Sequence, residues 1–317
     1  MRRTLSFVLS LALAFSLVGC GKQETESGKL RVVTTLFPYY DFARAIAGDR
    51  AEVTLLLSPG REAHSFEPTP LDALTIAEAD VFFCNGGEDE HWVTDMLDAV
   101  GANIGTVKKL LEVTPPEGEP HHHEHEYEHD HDHDHDHGGD EIEYDEHVWT
   151  SIENAVALCR AVGETLAAAD EENAEEYLAN CESYCEELLA IGEEFDALRH
   201  EAVRDTLVFA DRFPFHHFCE QYELHHIAAF HGCATDTEPS LGVLRMLIDE
   251  VEHEDVSVVY VVDLGSEKIA EVVSECTAAS IARLYSGQTV SRADFDAGVT
   301  YLDLLRRNVE ALKEGLL

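Results

Sequence analysis

Residues 121–137 read His-His-His-Glu-His-Glu-Tyr-Glu-His-Asp-His-Asp-His-Asp-His-Asp-His, so almost every side chain offers an imidazole nitrogen or a carboxylate oxygen. The donors are His121, His122, His123, His125, His129, His131, His133, His135 and His137, interleaved with acids. Imidazole suits zinc, copper, nickel and iron, whereas carboxylate alone would favour harder cations, so the mixture points to first-row transition metals, zinc or copper ahead of calcium. A merely solubilising loop has no use for a residue that is half-neutral near physiological pH. The interior position and the interleaved acids argue against a purification tag. With no apolar residues to offset the entropy of ordering, the tract is expected to stay disordered without metal and to serve something folded.

Two further histidines stand in loops with a fixed backbone. His64 lies in Gly60-Arg-Glu-Ala-His-Ser-Phe-Glu-Pro-Thr69, between a Pro-Gly break and a proline-initiated helix. His147 lies in Asp145-Glu-His-Val-Trp149, immediately before another helix. A lone histidine is more often structural than a ligand. Two in rigid loops of one lobe, in a chain that also carries a metal tract, reverse those odds.

The elements that must position these loops alternate. Strands are predicted at 30–35, 51–57 and 81–84, with helices at 39–47, 70–78 and 91–100. Helices follow at 151–169 and 171–199, the second long and without proline. The pattern then restarts, with strands at 207–210, 227–230, 256–262 and 283–285 and helices at 214–222, 241–252, 267–278 and 294–316. Such alternation implies parallel sheets with helices on their faces. The predicted fold is therefore α/β: two Rossmann-like lobes joined by one long rigid helix, with ligand bound in the crevice where loops leave the carboxyl ends of the strands. The boundaries read as a leader over 1–19, a tether over 20–29, a first lobe over 30–170 with the His-rich loop at 119–140, a connecting helix over 171–200 and a second lobe over 201–317.

Met1-Arg2-Arg3, the apolar run from Leu5 to Val18 and Leu17-Val18-Gly19-Cys20 form a secretory signal, too short and wrongly flanked to span a membrane. The small residue before Cys20 resembles the lipobox of bacterial lipoproteins, which implies lipidation of Cys20 and a body tethered to the outer face of the cytoplasmic membrane. The roughly 290 residues that follow suit two lobes rather than one core. A formal net charge of −43 excludes nucleic acid as a natural partner and makes cations the natural guests. Apart from Cys20 there are seven cysteines, so at least one is unpaired or paired between chains. Cys181 and Cys185 sit one helical turn apart, a poor spacing for a disulfide and not that of a zinc ribbon. The cysteines read mostly as buried small hydrophobes, with Cys219 and Cys233 the one pair worth testing.

His64-x-Phe66-x-Pro68-Thr69 resembles the H-x-[FY]-x-P-[ST] element, and Asp145-x-His147-x-Trp149 the D-x-H-x-W element, of the zinc- and manganese-binding solute-binding proteins of metal ABC transporters. The likeness continues through Thr34-Thr-Leu-Phe-Pro38 and through Tyr301, Leu305 and Asn308, and so covers essentially the whole mature chain. A His-rich loop between the two histidine elements is typical of the zinc branch. The resemblance implies metal held between two lobes that a rigid helix bridges, with little hinge motion, and delivery to a membrane permease by a receptor expected to be a monomer.

The second lobe departs from the family's pattern. Where family members place a third histidine at the end of the lobe's first strand, Phe209 is followed here by Ala210-Asp211-Arg212. Where a late acid or histidine is usual, this chain has Tyr285-Ser-Gly-Gln288. Asp211 and His216 are the nearest substitutes, His231 is a third, and His217, His225, His226 and Asp263 are within reach. Zinc accepts two histidines with a carboxylate or third imidazole plus water, so an altered site still binds. The expected ligand is Zn2+, with Mn2+ or iron as the alternative within the class. The one H-E-x-x-H match, His125-Glu-Tyr-Glu-His129, falls inside the low-complexity tract rather than on a predicted helix, and there is no G-x-S-x-G elbow and no nucleophile-base set, which sets a secreted zinc hydrolase behind a receptor. A passive buffer, in which only the tract binds, is the remaining rival.

Overall fold

The structure is a computed structural model that describes residues 28–61, 63, 65–101, 104–114, 145–230 and 239–317. His64, the His-rich tract, Cys20, His231 and Cys233 fall outside the described residues.

The first lobe runs β1 (Leu30–Thr34), α1 (Phe37–Ala47), β2 (Ala51–Leu55), α2 (Pro70–Ala77), β3 (Val81–Cys84), α3 (His91–Val100) and β4 (Thr106–Lys109). Two helices, α4 (Ile152–Ala169) and α5 (Ala174–Glu201), follow and pack along each other. The second lobe comprises β5 (Thr206–Phe209), α6 (His216–Gln221), β6 (His225–Ala228), α7 (Leu241–His253), β7 (Val258–Val262), α8 (Lys268–Thr277), β8 (Ser280–Leu284), α9 (Arg292–Asp296) and α10 (Tyr301–Leu316). Each lobe holds a four-stranded parallel sheet, in the orders β2-β1-β3-β4 and β6-β5-β7-β8. In both, the chain steps to one side of the first strand and then to the other, so each sheet has a switch point at the carboxyl end of that strand.

The inner strands β3 and β7 are buried on both faces, as Val-Phe-Phe-Cys and Val-Val-Tyr-Val-Val demand. The period of two sorts their side chains. Val32 and Phe83 face the same core as Phe209 and Tyr260 of the other lobe, whereas Val33, Phe82 and Cys84 face α2 and α3, and Val208 and Val259 face α7 and α8. One core thus runs through both lobes, filled by α1, α4, α5 and α10.

Several elements differ from the sequence reading, β8 among them, which begins at Ser280 rather than at 283. β4 was not anticipated: Thr-Val-Lys-Lys carries one apolar residue, and it survives as a strand because it lies at the sheet edge against β3. The single closing helix is two, α9 and α10, because Gly298 takes a left-handed φ of 78° and Thr300 opens α10 with a capping box to Asp303. β6 begins at His225 rather than at 227, which puts His225 and His226 at the amino end of the strand, away from the carboxyl edge. Of the described cysteines, Cys84, Cys159, Cys181, Cys185 and Cys219 are buried and Cys276 is exposed.

Candidate metal centre

The D-x-H-x-W segment lies between β4 and α4, where each residue has a separate task. Asp145 Oδ1 accepts the His147 backbone N–H at 2.8 Å and stands 2.6 Å from His147 Nδ1. A carboxylate can only accept, so the Nδ1 proton is donated to it, and whenever the imidazole is neutral its lone pair sits on Nε2. Burial alone would raise the Asp145 carboxyl, but the charge and hydrogen bonds of His147 pull it down to about 2. It therefore stays ionised and holds that tautomer. His147 itself is only 2 % exposed.

The same carboxylate reaches the other lobe. Asp145 Oδ2 accepts the backbone N–H of His216 at 3.2 Å, and the Asp145 carbonyl lies 2.8 Å from His217 Nε2, which must donate to it. Trp149 adds a second tie, its Nε1 donating to the Ser286 carbonyl at 2.9 Å while its own carbonyl accepts from Tyr301 Oη at 2.6 Å. Its indole meets the His147 ring edge to face at 5.3 Å. The three motif residues supply a buried imidazole, an acceptor that orients it and a bridge between lobes.

Glu146 and the Asn85-Gly86-Gly87 turn lock this loop to the end of β3. Asn85 receives the Tyr39 hydroxyl at 2.6 Å and donates to the Glu146 carbonyl at 3.3 Å. The Glu146 carboxylate accepts the backbone N–H groups of Glu88 and Asp89. A Cβ at Gly87 would fall onto that carboxylate, so the close approach requires glycine. Neighbouring Glu90 is buried, its Oε2 accepting Gly86 N–H at 3.0 Å, and burial raises its carboxyl to about 7. None of these roles was read from the sequence. The Asn-Gly-Gly turn after a strand was visible, but its partner lies 61 residues away.

The described residues beside His64 are held from three directions. Gly60 N–H donates to Val290 O of the second lobe at 2.7 Å, Phe66 packs edge to face on Trp92 at 5.1 Å, and Thr69 forms a capping box with Asp72 ahead of Pro70. A small cavity of about 20 Å³ lies there, lined by Thr35, Phe66, Asn85, Glu90, Trp92 and, from the second lobe, Gln288. This is the crevice at the carboxyl ends of the strands that the fold provides.

The second-lobe candidates separate into groups. His216 and His217, at the start of α6, are brought to Asp145 and through it to His147. Asp211 spends both oxygens on backbone, Oδ1 on Arg212 N–H at 2.8 Å and Oδ2 on Val262 N–H at 3.0 Å, and so clasps the ends of β5 and β7. Asp263 is likewise engaged: Oδ1 accepts Ser286 N–H at 2.8 Å and Oδ2 the Ser286 hydroxyl at 2.5 Å, and burial raises its carboxyl. His226 stacks on Phe213 at 3.6 Å, and His225 is exposed at the amino end of β6.

The chain is 29 % identical over 312 residues to the zinc-binding lipoprotein AdcA of Streptococcus pneumoniae, covering 98 % of this chain and 61 % of that protein, so it spans about three-fifths of the length of that relative. It is 29 % identical over 317 residues to the high-affinity zinc uptake system protein ZnuA of Bacillus subtilis, covering 97 % and 96 % of the two chains. In structure it is similar to the metal-dependent lipoprotein YcdH of Bacillus subtilis, with a TM-score of 0.76 and 26 % identity over 91 % of this chain and all of that one. The Zn(II)-bound ZnuA-like domain of pneumococcal AdcA superposes with a TM-score of 0.74 and 25 % identity, over 91 % and 99 % of the two chains. The family described as ZnuA, zinc-uptake complex component A, periplasmic, matches residues 32–315, and the chain belongs to that family.

Proposed function

We propose that the chain is the extracytoplasmic receptor of a metal ABC transporter, which captures Zn2+ in the crevice between its lobes and hands it to a membrane permease. The observation that carries this reading is the Asp145–His147 pair, a buried imidazole whose Nε2 lone pair is fixed by an ionised carboxylate. That is how a protein prepares a zinc ligand rather than a packing histidine. His64 supplies the second imidazole, and His216 approaches from the other lobe. Asp211 ligates only by sharing an oxygen that already serves a backbone N–H. The His-rich tract gathers metal and raises its local supply to the crevice. A lipid on Cys20 tethers the receptor to the outer face of the cytoplasmic membrane; among the described residues no helix is long and apolar enough to cross one.

The test is calorimetric zinc titration, with manganese as competitor, on the chain from Lys22 onward with residues 119–140 removed. One tight zinc site that manganese does not displace is expected, and His147→Ala should weaken it at least ~100-fold, about 2.7 kcal/mol. A passive buffer would lose all affinity with the tract, and a manganese receptor would exchange its zinc.

A further inference from the structure

Within the two long helices α4 and α5, three thiols come together. Cys159 lies on α4, and Cys181 and Cys185, one turn apart, share a face of α5. The three Sγ atoms all lie within 4.8 Å of one another, and all three residues are buried. Among the described residues this is the one group of three or more His, Cys, Asp or Glu side chains whose donor atoms converge so closely. The helices are brought together here by Gly163, one turn beyond Cys159, where a Cβ would stand 2.7 Å from Cys181 Sγ. Two of the thiols also donate to the α4 backbone, Cys181 Sγ to Cys159 O at 3.4 Å and Cys185 Sγ to Val156 O at 3.9 Å.

We propose that Cys159, Cys181 and Cys185 form a three-thiolate site for a thiophilic d10 cation, of the class of zinc, cadmium or copper(I), distinct from the crevice and clamping α4 to α5. A metal–sulfur bond of about 2.3 Å requires sulfurs roughly 3.8–4.0 Å apart in tetrahedral or trigonal geometry. The present spacing reaches that with rotamer adjustments well under an ångström per sulfur. Soft thiolates select such ions, and the dry, apolar surroundings exclude the oxygen ligands that harder cations need. Binding forms three metal–sulfur bonds and releases the three S–H protons to solvent, with no change of oxidation state. A disulfide engages two sulfurs at most and leaves the third unexplained. Sequence spacing hides the site, because its ligands come from two helices.

The experiment is titration of the reduced, metal-free full chain with Cd2+, followed by the ultraviolet thiolate-to-cadmium charge-transfer band. Imidazoles and carboxylates, and hence the crevice and the His-rich tract, do not produce that band. A band that saturates at one thiolate-bound cadmium per chain is expected, retained in Cys276→Ser and His147→Ala and lost in Cys159→Ser and Cys185→Ser. Circular dichroism and a Cys159→Ala variant, which removes the ligand without adding a polar atom, separate loss of the site from loss of the fold. Absence of the band, its persistence in folded Cys159→Ala, or appearance only at a large excess of cadmium overturns the proposal. Loss of the crevice site in His147→Ala bears on the zinc-receptor reading alone.

Discussion

A carboxylate accepts hydrogen bonds and donates none, and at Asp145 that asymmetry decides which nitrogen of His147 carries the proton when the ring is neutral. In Asp145→Asn the amide oxygen could still accept from Nδ1, but its NH2 would then face the His216 N–H, donor against donor. Affinity for zinc should fall 10–100-fold, as is usual when the partner of a ligating histidine is lost. Titration of the variant checks this, and an unchanged dissociation constant would remove Asp145 from the site. Glu90 carries a different signature. Its carboxyl rises from the ordinary 4.5 to about 7 because burial disfavours the charge. Between those pH values the folded state therefore holds a proton that the unfolded chain releases. Stability must fall as pH rises through that window, by about 3 kcal/mol in all, and level off above it. Glu90→Gln cannot titrate, so its urea unfolding free energy should lack that decline between pH 5 and pH 8. A decline of the same size in the variant would assign it to another group.

At the scale of elements, Asp41 shows how the helices are locked. One carboxylate on α1 accepts Arg44 Nε at 2.7 Å, the Tyr184 hydroxyl of α5 at 2.6 Å and the Tyr301 backbone N–H at the start of α10 at 3.0 Å. Asp41→Ala strands two buried donors and takes the carboxylate from the partly exposed Arg44, and should cost roughly 3–5 kcal/mol. Chemical denaturation measures it, and a loss below about 1 kcal/mol would mean that water replaces the carboxylate. The sequence conveyed these elements unevenly, for physical reasons. β3 and α3 were legible to the residue because an apolar run and an amphipathic period state their own limits. β4 was not, since its strand character comes from its neighbour β3 and not from Thr-Val-Lys-Lys. The α9–α10 break was written in Gly298 and in the Thr300–Asp303 cap, and was overridden by the helical pattern around it. The first-lobe motif was legible because Asp145, His147 and Trp149 are adjacent in sequence. Asp211 and Asp263 were not, because their tasks are hydrogen bonds to backbone N–H groups, which no side-chain pattern records.

For the whole molecule, the decisive fact is that the lobes do not own separate cores. The inner faces of both sheets bury into one apolar cluster around α4, α5 and α10. Across the crevice the loops are also tied directly, by Gly60 to Val290, Trp149 to Ser286 and Asp145 to His216. Opening a hinge would therefore expose buried core as well as break crevice contacts, at about 25 cal/mol for each Å² of apolar surface. Metal capture by swinging lobes is disfavoured, and local movement of the loops at the crevice is the less costly route. Small-angle scattering of the chain from Lys22 onward without residues 119–140 should give a radius of gyration of about 19 Å, as expected for a compact body of this length, both without zinc and with it. Contraction on zinc binding by more than about 1 Å would mean that the lobes part and close around the ion, and that the shared core yields more easily than its burial implies.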